Sequence, residues 1–365
     1  MRLAIDCRLI GETGIGTFID NVLGNIVQHT GNVYVLIGNA GKLERYRALD
    51  NCVLVDCALR SFTPAELLRF PVGEVNKCDA FYTPNFNIPM GIKVPIYSTI
   101  HDILFFETEN FGSFIHRLAL KWYVKRALRI SSKVFTVSQF SKERIKAYFN
   151  SSADIEVVNN GISANLRKYR AENEYDGKKE GIVFLGSIKK HKGLHVLLEA
   201  YSKLRGEKGR ECPSLTVIGH VDFRTKDEEI LNIIQNSRDS VNFLGAVDDR
   251  TLYDVLSRSA VLVSPSFYEG FGIPPLEAMY LGTPAIISDI PVYKEVYRDL
   301  PVAYFKTGDS DDLYAKLRQF VGHRLSICDR IDEMYSYADT AGKILGGMAP
   351  LLSPLNGEDT NARKG

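Results

Sequence analysis

Between residues 264 and 288 the chain reads Ser264-Pro265-Ser266-Phe267-Tyr268-Glu269-Gly270-Phe271-Gly272-Ile273-Pro274-Pro275-Leu276-Glu277-Ala278-Met279-Tyr280-Leu281-Gly282-Thr283-Pro284-Ala285-Ile286-Ile287-Ser288. The apolar run Ala260-Val261-Leu262-Val263 just before it predicts a buried strand. Pro274 and Pro275 suit the first turn of a helix, where a missing N–H costs nothing. The local order is therefore strand, glycine turn, helix. Gly270 and Gly272 allow the backbone N–H groups of Phe271 to Ile273 to come close to a ligand. Such a turn running into a helix N-terminus is an anion site. Glu277, on the helix, is placed to accept two hydroxyls of a ribose. Glu269, just before the turn, is placed to meet a polar group beyond the phosphates. The ligand implied has a diphosphate in its middle and hydroxyls at both ends.

Outward from this stretch, short apolar runs alternate with helical patterns twice over. The expected strands of the first half are Leu3–Ile5, Val33–Ile37, Val53–Val55, Ala80–Tyr82, Ile96–Ile100, Val134–Val137 and Ile155–Val158. Those of the second are Gly181–Leu185, Ser214–Ile218, Val241–Phe243, Ala260–Val263, Ala285–Ile287 and Val302–Tyr304. Helical patterns at Gly16–His29, Phe114–Ile130, Leu194–Leu204, Glu228–Gln235, Asp248–Ser257 and Ser310–Phe320 separate many of them. Alternation of this kind predicts an α/β protein with parallel, doubly wound sheets. The polar stretch from Ala164 to Lys179 reads as a linker, so the expected division is 1–165, a linker at 166–179, and 180–334. Residues 335–350 are expected to return to the first domain as a helix, and 351–365 have the composition of a flexible tail.

Composition narrows the function classes. The 365 residues carry a net charge of +1, 45% hydrophobic and 24% charged residues, as expected of a soluble globular protein and not of one built for nucleic acid. No apolar run has the roughly 18–20 residues that span a bilayer. Six scattered cysteines without a C-x-x-C pair read as reduced thiols, which points to the cytoplasm.

The pattern S-x-x-E-G-F-G-x-P-x-L-E-A-M-x-x-G-x-P around Glu269 and Glu277 resembles the Glu-x7-Glu motif of retaining glycosyltransferases of family 4. The resemblance covers nearly the whole chain. It implies the GT-B fold, two Rossmann-like domains facing each other across a cleft. Carried onto this sequence, it makes Gly270, Phe271, Gly272, Ile273 and Glu277 donor-binding residues and gives Glu269 the hydroxyls of the donor sugar. Gly186-Ser187-Ile188-Lys189-Lys190-His191-Lys192-Gly193 follows the strand at Ile182–Leu185. The family has an Arg directly after the first glycine and a Lys before the second. Lys192 keeps the Lys, to neutralise the leaving diphosphate, whereas Ser187 stands in place of the Arg. Lys189 and Lys190 are the two candidates to supply the missing contact.

Other matches are less specific. Gly14-Ile15-Gly16-Thr17-Phe18 lacks the small residue three beyond Gly16 that a dinucleotide fingerprint needs, since Ile19 sits there. The resemblance places Gly14 and Gly16 against the donor phosphates; a tight strand-to-helix turn would use the same residues. His101-Asp102 resembles the histidine that many family members set beside the transferred sugar. Val137-Ser138-Gln139-Phe140-Ser141-Lys142 resembles the family's V-S-x-F-S-K segment, with Ser141 favoured as a helix cap and Ser138 left open. Asn160-Gly161 resembles a V-x-N-G-I turn near the domain junction, and its composition suits a left-handed turn. Asp309-Ser310-Asp311 has the D-x-D spelling of metal-dependent enzymes, but it precedes a helical pattern and reads as a cap. No metal or other cofactor is expected.

Ser113–Phe149 holds nine basic residues and one acidic residue, a net +8. With Phe111, Phe114, Trp122, Tyr123 and Tyr148 interleaved, it reads either as an anionic-membrane surface, through Arg117, Lys121, Lys125, Arg126 and Arg129, or as a solvated helix face. The expected enzyme moves a hexose from a nucleotide-sugar donor to a glycan or lipid-linked glycan acceptor, peripherally at the inner face of the plasma membrane. The combination of G-I-G-T-F and I-H-D resembles bacterial mannosyl- and rhamnosyltransferases of surface polysaccharide assembly, which favours GDP-mannose. UDP-glucose, UDP-linked amino sugars and dTDP-rhamnose stay open. So do a sugar-nucleotide epimerase and a non-catalytic sugar-binding protein of the same fold.

Overall fold

The computed structural model describes residues 1–12, 14–61, 63–107, 114–173, 175, 177–220, 240–319, 325–326 and 328–348, with single positions between 232 and 237. The expected helix at 228–235, apart from positions 232, 234 and 235, and the tail at 351–365 lie outside the described residues, as do Phe111 and the side chain of Phe114.

Among the described residues thirteen strands form two parallel sheets. In the first, β1 (Arg2–Asp6), β2 (Val33–Gly38), β3 (Cys52–Asp56), β4 (Ala80–Thr83), β5 (Ile96–Thr99), β6 (Lys133–Thr136) and β7 (Ile155–Val157) take the order β3-β2-β1-β4-β5-β6-β7. In the second, β8 (Ile182–Leu185), β9 (Leu215–Ile218), β10 (Val241–Gly245), β11 (Val261–Ser264), β12 (Ala285–Ser288) and β13 (Ala303–Phe305) take the order β10-β9-β8-β11-β12-β13. The apolar runs are unbroken because helices cover both faces, so β4, β5, β11 and β12 are buried along their whole lengths. Strand order reverses between β1 and β4 and again between β8 and β11. Ligands of doubly wound sheets bind beyond the strand ends at such points.

The helices used below are α1 (Gly14–Ile26), α2 (Pro64–Arg69), α3 (Val72–Val75), α4 (Leu104–Glu107), α5 (Phe114–Ile130), α6 (Gln139–Phe149), α7 (Ala164–Glu172), α8 (Leu194–Lys208), α9 (Asp249–Arg258), α10 (Ile273–Tyr280), α11 (Pro291–Val296), α12 (Ser310–Gln319), α13 (Cys328–Met334) and α14 (Tyr337–Gly347). Among the described residues no helix is long and apolar enough to cross a membrane.

Residues 166–172, expected as linker, are the helix α7. Ser163 caps it by accepting from Leu166 N at 3.1 Å, and Leu166 and Tyr169 bury the face that meets α9. Tyr169 donates to Asp254 at 2.5 Å and Asn165 to Asp249 at 2.9 Å. Of its charges, Arg167 donates to Asp332 at 2.8 Å and Arg170 lies over the Tyr280 ring. The chain returns at 335–337, where Ile162 pairs with Ser336 in a parallel bridge and donates to Tyr335 O at 3.2 Å. α14 then packs on α1 and buries Tyr337, Ala341 and Ile344. Gly161 is not left-handed. Glycine is needed because a Cβ there would sit 2.5 Å from Tyr337 N.

The acids before α12 act as expected. Asp309 Oδ1 accepts from Asp311 N at 3.1 Å and Asp312 N at 3.0 Å.

Candidate active site

The loops after β5 and β11 meet across the gap between the sheets. A Cβ on Gly270 would lie 2.9 Å from Asp102 Oδ2 and 3.2 Å from the His101 carbonyl oxygen, so only glycine lets the turn approach this closely. Glu269 stands one residue before. Both its oxygens accept from Lys192 Nζ, at 2.6 and 2.8 Å, and Oε1 also accepts from Ser266 at 2.7 Å. The two side chains, one expected at the leaving diphosphate and the other at the donor sugar, are thus joined directly, with Lys192 at 20% and Glu269 at 11% side-chain exposure. Burial alone would push the Glu269 carboxyl up. The charge and hydrogen bond of Lys192, with Ser266, hold it below its ordinary value.

On the opposite wall, His101 Nε2 lies 3.1 Å from the Pro84 carbonyl, and the ring stands edge-on to Phe18 with centroids 4.8 Å apart. Burial lowers His101 to about 4, against the opposing pull of the carbonyl. The ring is therefore neutral at pH 7. A carbonyl can only accept, so Nε2 carries the proton and Nδ1 keeps its lone pair. Asp102 Oδ1 accepts from Leu104 N at 3.0 Å. Burial raises its carboxyl, and Glu269 adds to the shift.

Glu277 lies in α10 beyond the two prolines. Burial, with a smaller contribution from Asp249, raises it to about 7. Tyr253 of α9 and Tyr337 of α14 both feel its charge. Of the remaining candidates, Phe271, Gly270 and Gly272 are buried and Ile273 is half-buried at the start of α10. Ser187 and Lys189 are half-buried, whereas Lys190 is exposed in a short turn, Lys190–Lys192. Gly14 is exposed at the start of α1 and Gly16 is buried against the Leu9 carbonyl. Asn160 is buried at the crossing between the sheets.

Ser138, not Ser141, caps α6. Its Oγ accepts from Ser141 N at 3.0 Å because Ser138 has the extended backbone of an N-cap. Both hydroxyls also donate to the Gly270 carbonyl, at 2.7 and 3.2 Å, which carries Ser138 into contact with the opposite wall.

Two groups escaped the sequence reading. His191, beside Lys192, is lowered by burial to about 4 and feels the Glu269 charge. At the end of β1, Arg8 binds Asp6 at 2.8 and 2.7 Å and Glu66 at 2.7 Å, while Asn87 donates to Glu66 at 2.6 Å. The Asp6-x-Arg8 spacing at a strand end is visible in sequence, but its partners 58 residues and more away are not.

Along α5, Ile115 (76% exposed), Leu118 (51%) and Trp122 (47%) share one face. Arg126 is turned inward instead, donating to Ile88 O at 2.5 Å and Pro89 O at 3.2 Å. Lys121 lies over the Tyr148 ring.

Two parallel doubly wound sheets with facing strand-end loops define the GT-B class. Two family models divide the chain between them. Residues 14–166 match Glycosyltransferase Family 4 and residues 166–338 match Glycosyl transferases group 1, and the chain belongs to the glycosyltransferases that these models describe. It is 31% identical over 201 residues to the O-antigen chain mannosyltransferase RfbU of Salmonella typhimurium, covering 54% of this chain and 53% of that protein. It is 27% identical over 230 residues to O-antigen chain mannosyltransferase B of Escherichia coli, covering 60% and 59%. The chain thus spans little more than half the length of these curated relatives. The crystal structure of Anabaena HepE in complex with UDP and glucose superposes with a TM-score of 0.71 over 96% of this chain and all of that one; at 16% identity this shows the fold.

Proposed function

We propose that this chain is a retaining glycosyltransferase of surface polysaccharide synthesis, moving a hexose from a nucleotide sugar to a lipid-linked or lipopolysaccharide glycan. The observation that carries this is the Lys192–Glu269 pair, set against neutral His101 by the close approach of Gly270. A diphosphate entering here meets the Lys192 ammonium and the N–H groups of the 270–273 turn, which spread the charge that develops as the sugar–oxygen bond breaks. Released from Lys192, Glu269 accepts hydroxyls of the transferred sugar. His101 Nδ1 accepts another, and Glu277 takes the ribose.

The departing phosphate oxygen accepts the acceptor's proton on the same face, which accounts for retention without a protein nucleophile. No metal is used on this account. Lys192 supplies positive charge where a metal would otherwise do so.

The likeness to two O-antigen mannosyltransferases favours mannose, with GDP-mannose as donor. On the same reading, the exposed face of α5 rests on an anionic membrane and brings the cleft to a lipid-linked acceptor at the inner face of the plasma membrane.

Nucleotide release from a panel of GDP-, UDP-, dTDP- and ADP-sugars, with membrane lipid extract as acceptor, tests the proposal. The expected result is release from GDP-mannose, stimulated by extract and lost in Glu269→Ala. Release of no nucleotide from any donor, or a changed nucleotide sugar without release, would overturn it.

A further inference from the structure

The turn between β11 and α10 is held from behind at two carbonyls. Gly270 O accepts from Ser138 Oγ at 2.7 Å and from Ser141 Oγ at 3.2 Å, and both serines are fully buried. Gly272 O accepts from the buried Tyr297 hydroxyl. Among the described residues no peptide bond is cis. In a planar trans peptide the carbonyl oxygen of one residue and the N–H of the next point in opposite directions. Fixing the Gly270 carbonyl toward α6 therefore aims the Phe271 N–H away from α6. Fixing the Gly272 carbonyl toward Tyr297 aims the Ile273 N–H away from Tyr297. Among the described residues nothing accepts from either N–H. Phe271 is buried, where a paired backbone donor is the rule. The Ile273 N–H, at the first position of α10, is one of those a helix leaves without an intrahelical partner, and the two together mark a place for an acceptor from outside the chain.

The serines come from the opposite domain, and their helix is itself tied across the gap. Glu295 of α11 accepts from Gln139 N and Phe140 N, the first two N–H groups of α6, at 2.7 Å each. A carboxylate on the N-terminus of a helix is favoured by charge-assisted hydrogen bonds and by the helix dipole. The connections thus run both ways. The second sheet's Glu295 holds α6, and the serines at the start of α6 hold the second sheet's turn. Phe271 also meets Tyr335, on the returning crossing, edge to face at 5.4 Å.

We propose that Ser138, Ser141 and Glu295 are positioning residues that aim the Phe271 and Ile273 N–H groups at the distal phosphate of a nucleoside diphosphate, so that this half of the donor site is complete only while the two sheets are docked. The proposal rests on the donor reading above. It separates the donor into two parts. The nucleoside end, at Glu277, is held by the second domain's own helix. The distal phosphate depends on a contact supplied by the first domain.

The test is calorimetric affinity for GDP and for GMP, with the UDP/UMP and dTDP/dTMP pairs in parallel, in wild type, in Ser138→Ala/Ser141→Ala and in Glu295→Gln. The double variant is expected to weaken GDP binding by about tenfold while GMP binding changes by less than about twofold. Glu295→Gln shifts the same ratio in the same direction, and amide exchange at 270–273 speeds up in both. Equal losses for diphosphate and monophosphate would show a merely structural role and overturn the proposal, as would an unchanged ratio. If the double variant does not fold, Ser141→Ala and Glu295→Gln are read for the same ratio. Wild type that binds no nucleoside diphosphate overturns the donor reading itself, and this inference with it; wild type that binds one with an unshifted ratio in the variants overturns this inference alone.

Discussion

Replacing Glu277 with Gln is expected to stabilise the protein above neutral pH while weakening its hold on donor. The carboxyl rises from its ordinary 4.5 to about 7, first because it is buried and then because Asp249 is near. Below pH 4.5 it is protonated in both the folded and unfolded chain, and no penalty exists. Between 4.5 and 7 the unfolded chain gives up the proton while the folded one keeps it, so stability falls. Above 7 the loss is complete and constant. From 4.5 to about 7, at about 1.4 kcal/mol per pH unit, the full loss is at most about 3–4 kcal/mol. The side chain keeps some contact with the open cleft, so about 2 kcal/mol is the working figure. Calorimetry at a series of pH values should show the Tm of Glu277→Gln matching wild type near pH 4.5. The variant should exceed wild type by about 5 °C at pH 8, given about 2–4 °C per kcal/mol for a unit of this size. Donor affinity runs the other way. The carboxylate is the form that accepts two hydroxyls, so wild-type KM for donor should rise about tenfold per unit as pH falls below 7. In the variant KM should be high and flat. A Tm gap independent of pH, or a variant less stable than wild type at pH 8, would refute the burial argument.

Three further outcomes are expected. Lys192→Ala strips Glu269 of its main partner, so kcat should fall at least about a hundredfold, and the pH–rate profile should show the Glu269 carboxyl titrating higher than in wild type; an unchanged profile would count against the pairing. Arg8→Ala leaves Asp6 and Glu66 buried without a cation, and the urea midpoint should drop by the equivalent of about 3–5 kcal/mol; a drop under about 1 kcal/mol would mean that the network is not intact in solution. Ile115→Ser with Trp122→Ser should abolish co-sedimentation with vesicles rich in anionic lipid, while kcat on a water-soluble acceptor stays at the wild-type value; equal sedimentation by both proteins would remove α5 from membrane contact.

The strands were legible as short apolar runs flanked by turn residues, uninterrupted where the strand is buried along its length, as at Ala260–Val263, while the edge strands β3 and β10 carry exposed positions. The helix at 164–172 was not, because its two buried positions, Leu166 and Tyr169, are outnumbered by charged residues, and the partners that Arg167 and Arg170 find in Asp332 and Tyr280 are distant in sequence. In the site, Glu269, Lys192, His101 and Gly270 were each legible from motif and position. That Lys192 grips Glu269 was not, since 77 residues separate them and nothing local records the contact. The same holds for the first-domain network. Asp6 and Arg8 stand two apart, but Glu66 and Asn87 reach them only through the fold. Ser138 and Ser141 differ in role because one has extended backbone and the other lies inside the helix, a distinction that two serines three residues apart do not display in sequence. The basic residues of α5 were legible as charge. Which of them turn inward, as Arg126 does, depended on the carbonyls of a loop 37 and 38 residues away.

The returning helix α14 has a consequence for the order in which the molecule can be finished on the ribosome. Its buried residues Tyr337, Ala341 and Ile344 complete the layer over α1, Tyr337 meets Phe18, and Gly347 backs onto Phe135 of β6. The half of the protein synthesised first is thus closed by almost the last described residues to emerge. The second sheet, made from a continuous run of chain between residues 182 and 305, has all its strands well before then. Domains usually fold in the order of synthesis. Here the first-made sheet must wait with the seat of α14 uncovered, and a chain cut short at residue 336 would injure the end opposite the cut.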